Sequence, residues 1–138
     1  MSESIEPKRT GGSVLAVVAG MLTVVALDLG IDSILHATGV YPPWGKPMAE
    51  RLFLLAMAYR IADGITGGYV AARLAPSRPL LHAMILGGIG VVLSLAGAIA
   101  TWNKGLGPKW FPVALIALAL PCARIGGGIR ERQLSRTG

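Results

Sequence analysis

Apolar positions fall into four long runs, separated by three short turns that are rich in proline, glycine and polar residues. The first run, VLAVVAGMLTVVALDLGIDSILH from Val14 to His36, stays apolar for more than three helical turns. It then places Asp28, Asp32 and His36 four residues apart, which puts them on one stripe of a helix. The pattern predicts helices over about 13–36, 49–74, 80–102 and 110–129. Each is about the 20 residues needed to cross a bilayer. The turns end the helices for local reasons. Pro42, Pro43, Pro47, Gly39 and Gly45 interrupt the chain after the first helix, Pro76 and Pro79 after the second, and Gly105, Gly107 and Pro108 after the third. Pro121 is expected to kink the fourth.

The predicted class is therefore all-α and integral to a membrane, with four helices in an up-down bundle. Residues 1–12 read as a flexible cytoplasmic tail, 13–129 as the membrane domain and 130–138 as a basic cytoplasmic tail. The first run is longer than the apolar part of a cleaved leader, about 7–15 residues, so it reads as a resident helix. Composition agrees: 53% of the 138 residues are hydrophobic and only 14% charged, against about 25% charged in soluble domains. The net charge of +6 does not point to nucleic acid, because the basic residues collect at helix ends. Lys8, Arg9, Arg73, Arg78, Arg130, Arg132 and Arg136 fall on one side, and Lys46, Arg51, Lys104 and Lys109 on the other. The positive-inside rule then places both termini in the cytoplasm and Trp44, Trp102 and Trp110 at the outer headgroup level. The expected location is a bacterial inner membrane.

Small residues supply the expected packing surfaces. The third helix carries Ala83, Gly87, Gly90, Ser94, Gly97 and Thr101 on one seam, and the second carries Gly64 and Gly68 four apart. Such residues let helix backbones approach closely in lipid, where no hydrophobic force draws helices together. They serve packing within one bundle, or a face shared with a second copy.

The candidate chemistry is an intramembrane polar cluster of Asp28, Asp32, Arg60, Asp63 and Arg124. Counting about 1.5 Å per residue along antiparallel helices brings Arg60 level with Asp28 and Asp32, and Asp63 level with Arg124. Three acids then face two bases, which leaves one carboxylate without a partner. The expectation is that Asp28 or Asp32 exchanges a proton with the outer side; the competing expectation is a structural lock between helices. Tyr59 and Tyr69 read as packing or interface residues. Cys122 has no partner cysteine, and His36 and His82 are expected on opposite faces, so no cofactor or metal site is expected. No nucleophile elbow, metalloprotease motif or phosphate loop is present, and an enzyme is not expected.

The block Ala58-Tyr59-Arg60 through Gly67-Gly68-Tyr69-Val70-Ala71-Ala72-Arg73-Leu74-Ala75-Pro76 resembles one in small bacterial four-helix inner-membrane proteins of uncharacterised function, as do Gly107-Pro108-Lys109-Trp110 and Leu120-Pro121-Cys122-Ala123. In size and helix number the chain is also similar to small multidrug resistance transporters, which carry an acidic residue in the first helix and work as dimers. By position, that resemblance implies a role for Asp28 or Asp32; two aspartates stand here for that family's single glutamate, and the second helix adds Arg60. The expected function is a small proton-coupled transporter or channel-like protein, with a non-catalytic accessory or assembly subunit of a larger membrane complex as the alternative. The expected partners are the lipid bilayer and either a second copy or a larger complex.

Overall fold

The computed structural model describes residues 2–44, 46–105 and 107–137, with the side chains of 2–9 and 137 left aside. Gly45, one of the expected turn residues, lies outside the described residues. The described residues form four helices: α1 Ser2–Ala37, α2 Glu50–Leu74, α3 Pro79–Thr101 and α4 Trp110–Thr137. The inner ends of α2 and α3 and the start of α4 fall within a residue or two of the sequence expectation. The two outer limits differ. The backbone of α1 is helical well ahead of position 13, and α4 continues through the basic segment expected to be a tail. Gln133 continues the helical pattern there: it accepts from Arg130 at 3.3 Å and from Tyr69 of α2 at 2.8 Å. Pro121 sits inside α4 without ending it.

Contacts along the helices set their directions. Ser13 reaches His82, Gly20 meets both Gly67 and Leu86, and Asp28 meets Arg60. Glu50 meets Trp110, Phe53 meets Phe111, and Tyr69 meets Gln133. So α1 runs parallel to α3 and α2 parallel to α4, with the two pairs opposed. The helix order is up-down-up-down. α2 and α3 each pack against all three other helices, whereas among the described residues α1 and α4 do not pack against each other.

This central place explains the composition of α2. Three helices, within Thr10–Ala37, Pro79–Thr101 and Trp110–Arg136, are long and apolar enough to cross a membrane. α2 carries Glu50, Arg51, Arg60, Asp63 and Arg73 and is less apolar. Glu50, Arg51 and Arg73 lie exposed toward its ends, and the two charged groups in its middle, Arg60 and Asp63, face protein. The outer surfaces of the other helices are apolar. Leu15, Leu22, Leu29 and Ile99 are each at least 60% exposed, the distribution expected where lipid is the solvent. Helical hydroxyls are satisfied locally: Thr23, Thr66 and Thr101 each donate to the carbonyl four residues back.

The bundle is tight at one end and open at the other. In the half nearer the termini, Gly68 faces Ala123 so closely that a Cβ there would lie 2.5 Å from the Ala123 carbonyl oxygen. Gly126 lies as close to the Ile65 carbonyl. Gly64 and Gly87 rest against Cys122 and Ala123 at about 3 Å, and Gly90 meets Ala119 at 3.4 Å. Gly97 departs from the expected seam: it is exposed, and a Cβ there would meet nothing within 4 Å. The neighbouring Ala98 is the buried residue, so at that level the inward face of α3 has moved off the seam. Sequence inspection also missed Gly20, Gly67, Gly126 and Gly127, all of which sit in close contacts.

The two classes of glycine respond differently to substitution. Gly68→Ala is expected to force α2 and α4 apart and cost about 1–3 kcal/mol. Gly97→Ala is expected to stay within about 0.5 kcal/mol of the parent. Thermal unfolding in detergent, followed by circular dichroism, measures both.

Candidate functional site

Where the helices separate, a polar cluster forms between α1 and α2. Arg60 is its hub. Its Nη1 donates to Asp28 Oδ2 at 3.0 Å and its Nη2 donates to Asp32 Oδ2 at 2.9 Å. Asp28 and Asp32 stand one turn apart on α1, so a single guanidinium spans both. These side chains retain 16–25% of their exposure. The guanidinium carbon also lies 5.8 Å from the centre of the Tyr59 ring and 6.0 Å from that of Phe111, so aromatic groups of α2 and α4 flank the charge.

The cluster continues toward the α1–α2 loop. Tyr59 donates to Asp32 Oδ1, and the Tyr59 and Tyr41 hydroxyls are 2.9 Å apart. Tyr41 is 4% exposed and its hydroxyl also approaches the Leu52 carbonyl at 3.5 Å. Burial pushes the Tyr41 phenol above its ordinary value, so it keeps its proton. His36 closes this end. Its Nδ1 bonds the Asp32 carbonyl at 2.7 Å and its ring stacks on Trp44 at 3.5 Å. Trp110 donates to Glu50 at 2.8 Å, and Lys109 lies 5.1 Å over the Trp102 ring. All three tryptophans thus gather at one end of the bundle.

The cluster also continues inward. The Asp63 carboxyl is a neighbour of the Asp28 carboxyl. Asp63 is 4% exposed. Asp28 Oδ1 and Asp63 Oδ2 are both buried and neither finds a donor. Two carboxylates bring only acceptors to such a contact; it becomes a hydrogen bond once one of them carries a proton. Beside this pair lies a cavity of about 260 Å³, to which all four helices contribute. Asp28 and Arg60 form its polar wall, and Met21, Met57, Leu86 and Leu118 are among its apolar lining.

The structure brings together Asp28, Asp32, Arg60 and Asp63. It does not bring Arg124. That residue is exposed on the outer face of α4, because Ala123, Gly126 and Gly127 occupy the inner face. The expected pairing of Asp63 with Arg124 or Arg60 is replaced by the contact with Asp28. Depth along the helix was matched for Arg124, but its direction around the helix was not. Tyr59 belongs to the cluster, contrary to the packing or interface role read from sequence, and Tyr41 joins it. The available signal was the position of Tyr59 beside Arg60, one residue nearer the outer end and so level with Asp32. Nothing local marks Tyr41. His36 and His82 lie at opposite ends of the bundle; His82 is buried and bonds Ser13 Oγ at 2.9 Å and the Arg78 carbonyl at 2.9 Å. Among the described residues no group of three His, Cys, Asp or Glu side chains is arranged to hold a metal ion.

Arg60→Gln removes the cation that pairs with Asp28 and Asp32 and leaves three carboxylates, Asp63 among them, without a counter-charge. A cost of about 3 kcal/mol is expected, the lower end for breaking a buried pair because each group is partly exposed. Adding Asp28→Asn and Asp32→Asn to that variant is expected to recover part of the loss, since Asp63 is then the one carboxylate left and an amide at position 28 can donate to it. Thermal unfolding of the single and triple variants in detergent reads the difference. Comparisons of this chain with family models, with curated proteins and with solved structures find no match.

Proposed function

We propose that this chain crosses a bacterial inner membrane four times, with both termini cytoplasmic, and works as a small proton-coupled transport protein. α2 joins the three apolar helices as the fourth span because the charges in its middle, Arg60 and Asp63, face protein, while Glu50, Arg51 and Arg73 lie toward its ends. The observation that carries the reading is the chain of polar contacts from Tyr41 through Tyr59, Asp32, Arg60 and Asp28 to Asp63, ending on unpartnered carboxyl oxygens beside the cavity. Ionisable groups inside a membrane protein mark ion or substrate pathways more often than they serve packing.

The residues divide the work. Tyr41 and Tyr59 can pass a proton between hydroxyls and deliver it to Asp32. Arg60 does not give up its proton, so it acts as a latch between Asp32 and the inner pair. A proton on Asp32 weakens its hold on Arg60 and frees the guanidinium to move. Asp28 and Asp63 then share one proton, with no second proton required. Three carboxylates against one guanidinium leave two negative charges, and the shared proton reduces this to one. The apolar cavity beside them suits a small, mostly apolar occupant whose polar end meets Asp28 and Arg60.

A second reading, an accessory subunit of a larger membrane complex, draws on Gly30 and Gly97. Both are exposed glycines with nothing within 4 Å of a Cβ built there, so another helix has room to approach.

Purified protein in liposomes that contain a pH-sensitive dye tests the first reading. After an imposed pH step, wild-type vesicles are expected to equilibrate faster than protein-free ones. Asp63→Asn and Asp28→Asn are expected to slow this about tenfold or more, and Arg124→Gln is expected to leave it unchanged. Equal rates in all vesicles contradict the reading.

A further inference from the structure

A second feature stands apart from the polar cluster, at the opposite end of the bundle. The start of α3 and the last turns of α4 enclose a groove of about 860 Å³. Leu80, Ile125 and Ile129 give it an apolar wall, and Gly128 leaves its floor open, since a Cβ there would meet nothing within 4 Å. Arg124 and Arg132 line the same groove, and both are exposed. We propose that this groove holds an anionic phospholipid, with its phosphate between Arg124 and Arg132 and an acyl chain along Ile125 and Ile129. The proposal rests on the membrane-spanning reading, but not on proton coupling.

Position along α4 argues for a lipid. Arg124 and Arg132 are eight residues apart, about 12 Å along the helix. Counted from Trp110 at the far headgroup level, Arg132 falls about 33 Å along α4, at the near headgroups, and Arg124 about 21 Å, inside the hydrocarbon. A guanidinium on the outer face at that depth is unfavourable unless it bends toward a headgroup and finds an anion. A phosphate supplies oxygens that suit guanidinium geometry. The start of α3 at Pro79, where no side chain caps the helix, adds partial positive charge on the same wall.

Charge and shape then select the ligand. Glu131 is the single acid in the groove, against two arginines, and this surplus favours a headgroup that lacks its own cation. The apolar wall separates a lipid from a free anion, which would leave Ile125, Ile129 and Leu80 unused. Basic pockets between helices on the cytoplasmic side are suited to anionic headgroups in this way.

Native mass spectrometry of the protein in mild detergent, with phosphatidylglycerol and phosphatidylcholine added in equal amounts, tests the proposal. Wild type is expected to retain phosphatidylglycerol about tenfold more than phosphatidylcholine. The R124Q/R132Q variant is expected to bring the ratio close to one. Gly128→Leu keeps every charge and fills the groove, and it is expected to lower phosphatidylglycerol retention as well; an unchanged size-exclusion profile shows that each variant is folded. Equal retention of the two lipids by wild type overturns the proposal, as does a preference that survives in both variants. Displacement of the lipid by millimolar inorganic phosphate also overturns it, because the site is then one for a free anion. Protein that resists alkaline carbonate extraction yet shows no lipid preference defeats the groove alone, whereas protein released by carbonate defeats the membrane reading with it.

Discussion

One guanidinium determines how the open half of this bundle is built. Arg60 holds Asp28 and Asp32 at about 3 Å and so ties α2 to α1 at the level where the other helices diverge. Without it, two carboxylates one turn apart on an otherwise apolar helix would have no counter-charge. With it, the stripe Asp28, Asp32, His36 faces protein, and the rest of α1 is free to present Leu22 and Leu29 outward. The geometry is specific to arginine, whose fork reaches two acceptors on successive helical turns.

The glycines do the complementary work in the other half. Gly20, Gly67, Gly68 and Gly126 bring α1 and α4 to backbone contact with α2, which leaves no room for a cavity between those helices at that level. The space that remains lies above them, beside Asp28 and Arg60. Tight packing below and an ion pair above thus place an apolar cavity and a chain of titratable groups side by side. That juxtaposition, rather than either feature alone, is what makes the transport reading more economical than a structural lock.

The legible parts of the sequence were those governed by one-dimensional rules. Length and apolar continuity marked the four helices, and prolines marked the turns between them. Rise per residue brought Arg60 level with Asp28 and Asp32, because depth depends only on counting. Direction around a helix depends on which neighbour each face meets, and there the reading diverged. Arg124 was counted to the depth of Asp63 but points outward, since the small residues Ala123, Gly126 and Gly127 claim the inner face. Gly97 continues a regular seam on α3, yet it is exposed and its neighbour Ala98 takes the inner face. Tyr41 had no local mark at all: its place depends on how a proline-rich loop folds back over α2. The expected ends of α1 and α4 coincide with changes in composition and with glycines, Gly11 and Gly12 before the first and Gly126, Gly127 and Gly128 before the second, but polarity and glycine alone do not stop a helix, and both helices run through them.

The transport proposal turns on one proton being held where the Asp28 and Asp63 carboxyls are neighbours inside the bundle. Infrared difference spectroscopy of the protein in lipid tests it most directly, through the carbonyl stretch of a protonated carboxylic acid. The account predicts that this band is present in the wild type near neutral pH and absent in both Asp28→Asn and Asp63→Asn, while Arg124→Gln retains it. A wild-type spectrum with no such band, or a band that survives both aspartate substitutions, would contradict the account.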